Sequence, residues 1–151
     1  MKLLCAAAFA LGLTACASTS VEQYRAETPV LDLKTYFNGT LDAWGMFQGR
    51  SGEVKKRFRV VIDARWDGDT GVLDERFTWS DGTTSTRVWT LKLQPDGSFR
   101  GRADDVIGEA VGEVAGNALR WRYVLALPVD DKIYHVDFDD WMFLMDDKVM
   151  L

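Results

Sequence analysis

Residues 53–66 read Glu-Val-Lys-Lys-Arg-Phe-Arg-Val-Val-Ile-Asp-Ala-Arg-Trp. Val54, Phe58, Val60, Ile62, Ala64 and Trp66 fall on even positions, and Glu53, Lys55, Arg57, Arg59, Asp63 and Arg65 on odd ones. A period of two sustained over this length means a long β-strand with one dry face and one wet face. Asp67-Gly68-Asp69-Thr70-Gly71 then turns the chain, and Val72 to Trp79 runs back. Asp81-Gly82 marks the next hairpin, because such pairs adopt the positive φ values that tight turns need. Thr84 to Leu93 follows, Asp96-Gly97 turns into Ser98 to Ala103, and Gly108 to Val114 forms a strand of small residues. Gly116-Asn117 turns into Ala118 to Leu127, where Leu119, Trp121, Tyr123, Leu125 and Leu127 share a face. Pro128 to Lys132 loops into Ile133 to Met145, for which the adjacent acids Asp139-Asp140 predict a bulge.

With the stretch that begins at Tyr36, and a last strand starting at Val149, the pattern predicts eight strands and a stub. No amphipathic helix interrupts it. Hairpin-linked strands favour an all-β, antiparallel up-and-down meander that curls into a barrel. A barrel of about eight strands encloses either a packed core or one small ligand.

The N-terminus differs. Lys2 precedes an apolar run, Leu3 to Leu13, that fits a secretory leader and is shorter than the roughly 20 residues that span a bilayer. Leu13-Thr14-Ala15-Cys16 resembles a bacterial lipobox, in which the cysteine is acylated and becomes the new N-terminus. Cys5 leaves with the leader, so Cys16 has no partner for a disulfide. Two or more acyl chains anchor a protein stably, where one does not. Ala17 follows the cysteine, and the lack of Asp there resembles lipoproteins of the outer membrane. The expected organisation is a signal peptide over 1–15, a lipidated N-terminus and tether over 16–35, and a β-barrel domain over 36–151. One helical turn is expected near Val30 to Lys34. A flexible tether of about 19 residues would reach roughly 25 Å.

The formal net charge is −5. An acidic chain has no electrostatic footprint for nucleic acid. Six Trp, eight Phe and four Tyr are a heavy aromatic load, and aromatics dominate core burial.

Several blocks occur together: Tyr36-Phe37-Asn38-Gly39, Leu73-Asp74-Glu75-Arg76-Phe77 with Trp79-Ser80-Asp81-Gly82, Arg87-Val88-Trp89, Asn117-Ala118-Leu119-Arg120-Trp121 and Asp139-Asp140-Trp141-Met142. With the lipobox, they resemble the proteobacterial lipoprotein family catalogued as domain of unknown function 3833. The resemblance covers nearly all of residues 36–151 and brings no catalytic residue. It implies a lipocalin-like (calycin-like) barrel on an envelope lipoprotein, associated with genes of fatty-acid modification. It also implies members some tens of residues longer, and hence a barrel incomplete at its C-terminal end.

The sharpest constellation lies around Asp81-Gly82. Leu73, Phe77 and Trp79 share a face with Glu75, and Trp89, Leu91 and Leu93 share one with Arg87. A loop of Asp81-Gly82-Thr83 brings these faces together, with Phe77 opposite Arg87 and Glu75 opposite Trp89, so that Glu75 and Arg87 are diagonal neighbours. Two readings stand. Arg87 grips the acidic head of an apolar ligand by bidentate hydrogen bonds, or it forms a structural ion pair with Glu75 that fixes register. His135 is the only histidine and falls with Asp137 and Asp139 on the polar parity of its strand, which suits a solvated face better than a zinc site. Asp67 to Gly71 lacks the later acidic ligands of a calcium loop, since the twelfth position is Thr78. There is no Gly-x-Ser-x-Gly elbow, phosphate loop or dinucleotide fingerprint.

The expectation is therefore a non-enzymatic, lipid-anchored barrel on the periplasmic face of the outer membrane, with no cofactor and no metal. It would bind a fatty acid or similar amphiphile through Arg87, Glu75, Trp89, Phe77, Trp121, Tyr123 and Phe138. The alternatives are a structural lipoprotein whose solid barrel docks an envelope partner, and an enzyme working through paired carboxylates.

Overall fold

The computed structural model describes residues 19–129 and 131–151. The leader and Cys16 lie outside them. Eight antiparallel strands form one sheet in sequence order: β1 (Gly39–Gln48), β2 (Val54–Asp67), β3 (Thr70–Trp79), β4 (Thr84–Leu93), β5 (Phe99–Arg102), β6 (Val106–Ala115), β7 (Ala118–Val129) and β8 (Lys132–Phe143). Each strand pairs only with its sequence neighbours, so β1 and β8 are both edges and the sheet curls into a half-barrel. The all-β meander read from the alternation in residues 53–66 is the architecture found.

The alternation decides which face is concave. Val60, Ile62 and Ala64 of β2 are buried together with Leu73, Trp89, Leu91, Phe99, Leu119 and Trp121. The even residues of β2 therefore point inward, while Arg59 pairs outside with Asp42 of β1 at 2.5 Å. Trp121 needs room that side chains on its neighbours would deny it. A Cβ on Gly101 or on Gly112 would stand 2.5 Å from its indole. Those two glycines are the cradle in which the Trp121 indole lies.

The structure corrects four expectations. The first concerns the β3–β4 register. The loop is Ser80-Asp81-Gly82 rather than Asp81-Gly82-Thr83, closed by Trp79 N–H donating to Thr83 O at 2.9 Å. Asp81 Oδ1 accepts from Thr83 N–H at 3.0 Å, and Gly82 takes φ 82°, the left-handed position of a three-residue hairpin loop. Every pairing moves by two residues, and Glu75 stands directly opposite Arg87 instead of diagonal to it.

The second concerns β8. It pairs with β7 without a shift through Asp139 and Asp140, so there is no bulge there. Tyr123 O–H donates to Asp140 Oδ2 at 3.2 Å, and with that partner the carboxylate stays on the concave side without a break in the strand. The irregularities fall instead between Ile107 and Val111 of β6 and between Phe47 and Gln48 of β1.

The third concerns the segment read as a tether. Most of it packs on the sheet. A 3₁₀ turn, Val21–Tyr24, capped by Ser20, lies outside β6 and β7 with Val21 buried against Ala115 and Ala118. Tyr24 meets Trp141 and Phe143 edge-on at 5.9 and 5.0 Å. Leu31 and Leu33 then enter the main core, and Leu31 N–H donates to Gly116 O at 2.8 Å. The helical turn is Leu33–Tyr36 (α1), slightly later than expected, because Asp32 Oδ1 caps it by accepting from Thr35 N–H at 2.9 Å. Composition masks this docking, since three well-placed apolar residues outweigh the polar ones around them.

The fourth concerns the last strand expected from Val149. It is a single bridge, Leu144 to Met150. Asp146 Oδ1 accepts from both Lys148 N–H and Val149 N–H at 2.8 Å, which turns the chain back so that Phe143 and Leu151 exchange backbone hydrogen bonds at 2.7 and 2.9 Å.

Leu31, Leu33 and the chain after β8 cover one end of the half-barrel. The other end, at the β1–β2, β3–β4 and β7–β8 turns, is open.

Candidate functional site

Toward the open end the concave face changes from wholly apolar to mixed. Glu75 of β3 and Arg87 of β4 face each other across the hairpin. Tyr123 of β7 and Asp140 of β8 approach from the far wall. Asp105, in the turn between β5 and β6, completes the group. Ala126 N–H donates to Asp105 O at 2.8 Å, which fixes that turn against β7.

The expected Glu75–Arg87 pair is present, but it is the weaker one. Arg87 Nη1 lies 3.9 Å from Glu75 Oε2. Its Nε and Nη2 donate to the Asp105 carboxylate at 3.0 and 2.6 Å, the bidentate arrangement that planar guanidinium and carboxylate favour. Asp105 carries no signal in the sequence beyond an acidic turn, because its role depends on how the turn after the neighbouring strand β5 folds back over β4. Asp140 was legible by parity, since it alternates with Phe138 and Met142, and the expected bulge hid it.

Burial decides the charges. Glu75 is 13% exposed, and desolvation pushes its carboxyl up to about 7, against the opposing pull of Arg87 and with Asp105 adding to the rise. Asp140 also rises, first from burial. The Tyr123 hydroxyl is pushed above the usual phenol range by burial and by the Asp140 charge. At neutral pH the site thus holds a fixed Arg87–Asp105 pair beside a carboxyl able to gain or lose a proton. Protonated Glu75 can donate a hydrogen bond, and Arg87 Nη1 donates none among the described residues.

Aromatic rings flank this group. Phe77 stacks on Trp79 at 5.6 Å, and Phe58 meets Trp79 at 5.4 Å. On the other wall Tyr123 stacks on Phe138 at 4.9 Å. Trp89 stands between, edge-on to both Trp121 and Tyr123 at 5.4 Å, with the guanidinium carbon of Arg87 5.9 Å above its ring. Of the residues expected to line a site, Glu75, Arg87, Phe77, Trp89 and Tyr123 meet directly, and Phe138 joins through Tyr123. Trp121 lies deeper, as the floor of the core rather than its lining. Phe58 and Trp79 belong to the aromatic wall and were not in the expected set.

Two hollows lie at the covered end. One cleft of about 610 Å³ runs between β1 and the chain after β8, beside Tyr36, Leu41, Leu144 and Lys148. Another of about 360 Å³ lies beside Leu31 and Phe99. Among the described residues no three His, Cys, Asp or Glu side chains gather as metal ligands. His135 is exposed on the outer face.

Fold and site together define a meander half-barrel with an ionisable cluster set in an aromatic concave wall. The chain belongs to the family described as "Protein of unknown function (DUF3833)", which matches residues 10–151. No curated protein and no solved structure matches it.

Proposed function

We propose that the half-barrel binds a fatty acid or similar amphiphile without chemical change, as a lipid-anchored protein on the periplasmic face of the outer membrane. The observation that carries the reading is the partly open aromatic wall around Arg87, whose Nη1 is directed toward Glu75 at 3.9 Å and held by neither oxygen of Asp105. The apolar chain would lie against Phe58, Phe77 and Trp79, and the acidic head would take hydrogen bonds from Arg87 Nη1 and protonated Glu75. Asp105 is engaged by Arg87 and Asp140 by Tyr123, which supports binding over hydrolysis by paired carboxylates.

Arg87→Met is the test. Loss of a charge-assisted hydrogen bond is worth about 1.5–3 kcal/mol, so affinity for a long-chain fatty acid should fall about tenfold or more. The fold should remain intact by circular dichroism. Unchanged affinity, or loss of stability alone, would assign Arg87 to a structural role. Mass spectrometry of lipid released from the native protein gives the identity of the ligand.

One observation favours a second reading, a solid barrel that docks an envelope partner. Trp89 and Trp121 are buried and fill the centre of the concave face. A protein recovered empty from its native membrane would support this alternative.

Lipid anchoring rests on Leu13-Thr14-Ala15-Cys16. No helix of the described residues is long and apolar enough to cross a membrane. Arg120 Nη1 donates to Thr19 O at 3.1 Å, so the chain is held from Thr19 onward. Three residue steps from Cys16 to Thr19 span at most about 11 Å, well short of the 25 Å of a flexible tether. Cys16→Ser should abolish incorporation of labelled palmitate; equal labelling of parent and variant would remove the anchor.

A further inference from the structure

We propose that the β1–β2 hairpin tip, together with the β7–β8 tip at the same, open end, is a contact surface for anionic lipid headgroups. Two independent features coincide there. The first is apolar exposure: Trp44 is 70% exposed, Met46 58%, Phe47 47% and Val54 50% on the first hairpin, and Ile133 68% and Tyr134 50% on the second. Single exposed apolar residues are ordinary on a protein surface. Four of the six fall on one hairpin, and apolar exposure concentrated in this way marks an interaction site.

The second feature is charge. Residues 46–57 carry Arg50, Lys55, Lys56 and Arg57 against one carboxylate, Glu53, in a chain whose net charge is −5. The second tip carries Asp130 and Asp131 beside Lys132, so the positive charge belongs to the first hairpin alone. The cations are thus gathered on the hairpin that carries Trp44, Met46, Phe47 and Val54, against the sign of the whole molecule. Lys56 Nζ sits over the Trp79 ring at 4.7 Å and pairs with Asp81 at 2.8 Å, and Lys55 pairs with Glu53, so Arg50 and Arg57 are the cations of this hairpin that form no ion pair among the described residues. Tryptophan and tyrosine among lysines and arginines is the composition of a membrane interface, where amphipathic rings sit at headgroup depth and cations meet anionic lipid. A protein partner would be served as well by apolar residues alone; the clustered positive charge selects a negative surface.

The contact lies beside the aromatic wall of the open end, so an amphiphile could pass between bilayer and concave face without crossing water. It does not depend on the N-terminal lipid. Thr19 and the two tips lie at opposite ends of the strands, and a domain making both contacts lies lengthwise along the bilayer.

Hydrogen exchange of the full chain with added vesicles tests the surface locally, whatever the N-terminus does. With phosphatidylglycerol vesicles at low salt, residues 44–57 and 127–134 should exchange more slowly. Phosphatidylcholine vesicles should protect them far less. A basic residue near an anionic surface is worth about fivefold in binding, so the Arg50→Gln/Arg57→Gln double variant should bind about 25-fold more weakly. Trp44→Ser should lose protection without losing the fold, since Trp44 is exposed. Equal exchange with both lipids would overturn the proposal. Protection of the same residues that grows with protein concentration in the absence of vesicles would also overturn it, and would assign the patch to a second copy of the chain.

Discussion

Trp121→Ala should destabilise the protein by about 3–5 kcal/mol, the range for removing a large buried aromatic side chain. Trp121 is 7% exposed, lies over Gly101 and Gly112, and meets Trp89 edge-on at 5.4 Å. Its neighbours are spread over β4, β5 and β6, and a sheet held by backbone hydrogen bonds cannot contract to fill the space an indole leaves. Single domains have about 5–15 kcal/mol in total, so the variant would sit near the limit of folding. The melting temperature should fall by about 2–4 °C per kcal/mol for a chain of this size. Gly112→Ala should act in the same direction from the other side, since its Cβ would stand 2.5 Å from the ring. Urea unfolding followed by circular dichroism measures both. A loss below about 1 kcal/mol for Trp121→Ala would mean that the centre of the half-barrel is not packed around that side chain. The result also bears on function, because a ligand-lining Trp can be truncated more cheaply than a floor.

Glu75→Gln should stabilise the protein at pH 8 and leave it unchanged near pH 4. The folded-state carboxyl stands at about 7, against 4.5 without the fold. Below pH 4.5 Glu75 is protonated in both states and contributes no pH-dependent difference. Between pH 4.5 and 7 the unfolded chain releases the proton while the folded chain retains it, so the folded state binds more protons and stability declines as pH rises. Above pH 7 both states are ionised and the penalty is complete, on the order of 3 kcal/mol at 1.36 kcal/mol per pH unit. Glutamine keeps the shape and removes the titration. Stability measured for parent and variant from pH 4 to pH 8 should therefore diverge across that window, with the variant above the parent. Parallel curves would show that Glu75 titrates as an ordinary exposed carboxyl, and the electrostatic description of the open end would fail with it. A natural chain that keeps such a residue accepts lower stability at neutral pH, and buried groups with displaced pKa values concentrate at functional sites.

The strand-by-strand reading succeeded where one residue type repeats along one element. Val60, Ile62 and Ala64 announce their side of β2 because alternation is a property of a single strand. Glu75 and Arg87 stand out for the same reason, as charges on otherwise dry parities. The reading weakened wherever two elements had to be placed against each other. The β3–β4 register moved by two residues because Asp81 captures Thr83 N–H and closes the loop one position earlier, and alternating patterns are blind to an even shift. Asp105 was invisible because a turn acid that meets a guanidinium 18 residues away has the composition of any other turn acid.

The sequence by itself determined the periodicity of each strand, the order of the turns, and therefore an antiparallel meander with a known inward face. These follow from local sterics and from which side chains leave water. Only the tertiary structure decided that Arg87 belongs first to Asp105, that Glu75 is buried enough to hold its proton near neutrality, and that residues 21–35 pack on the sheet. Those outcomes depend on how the curled sheet brings remote segments together and how much water it excludes, and neither quantity is carried by any one stretch of chain.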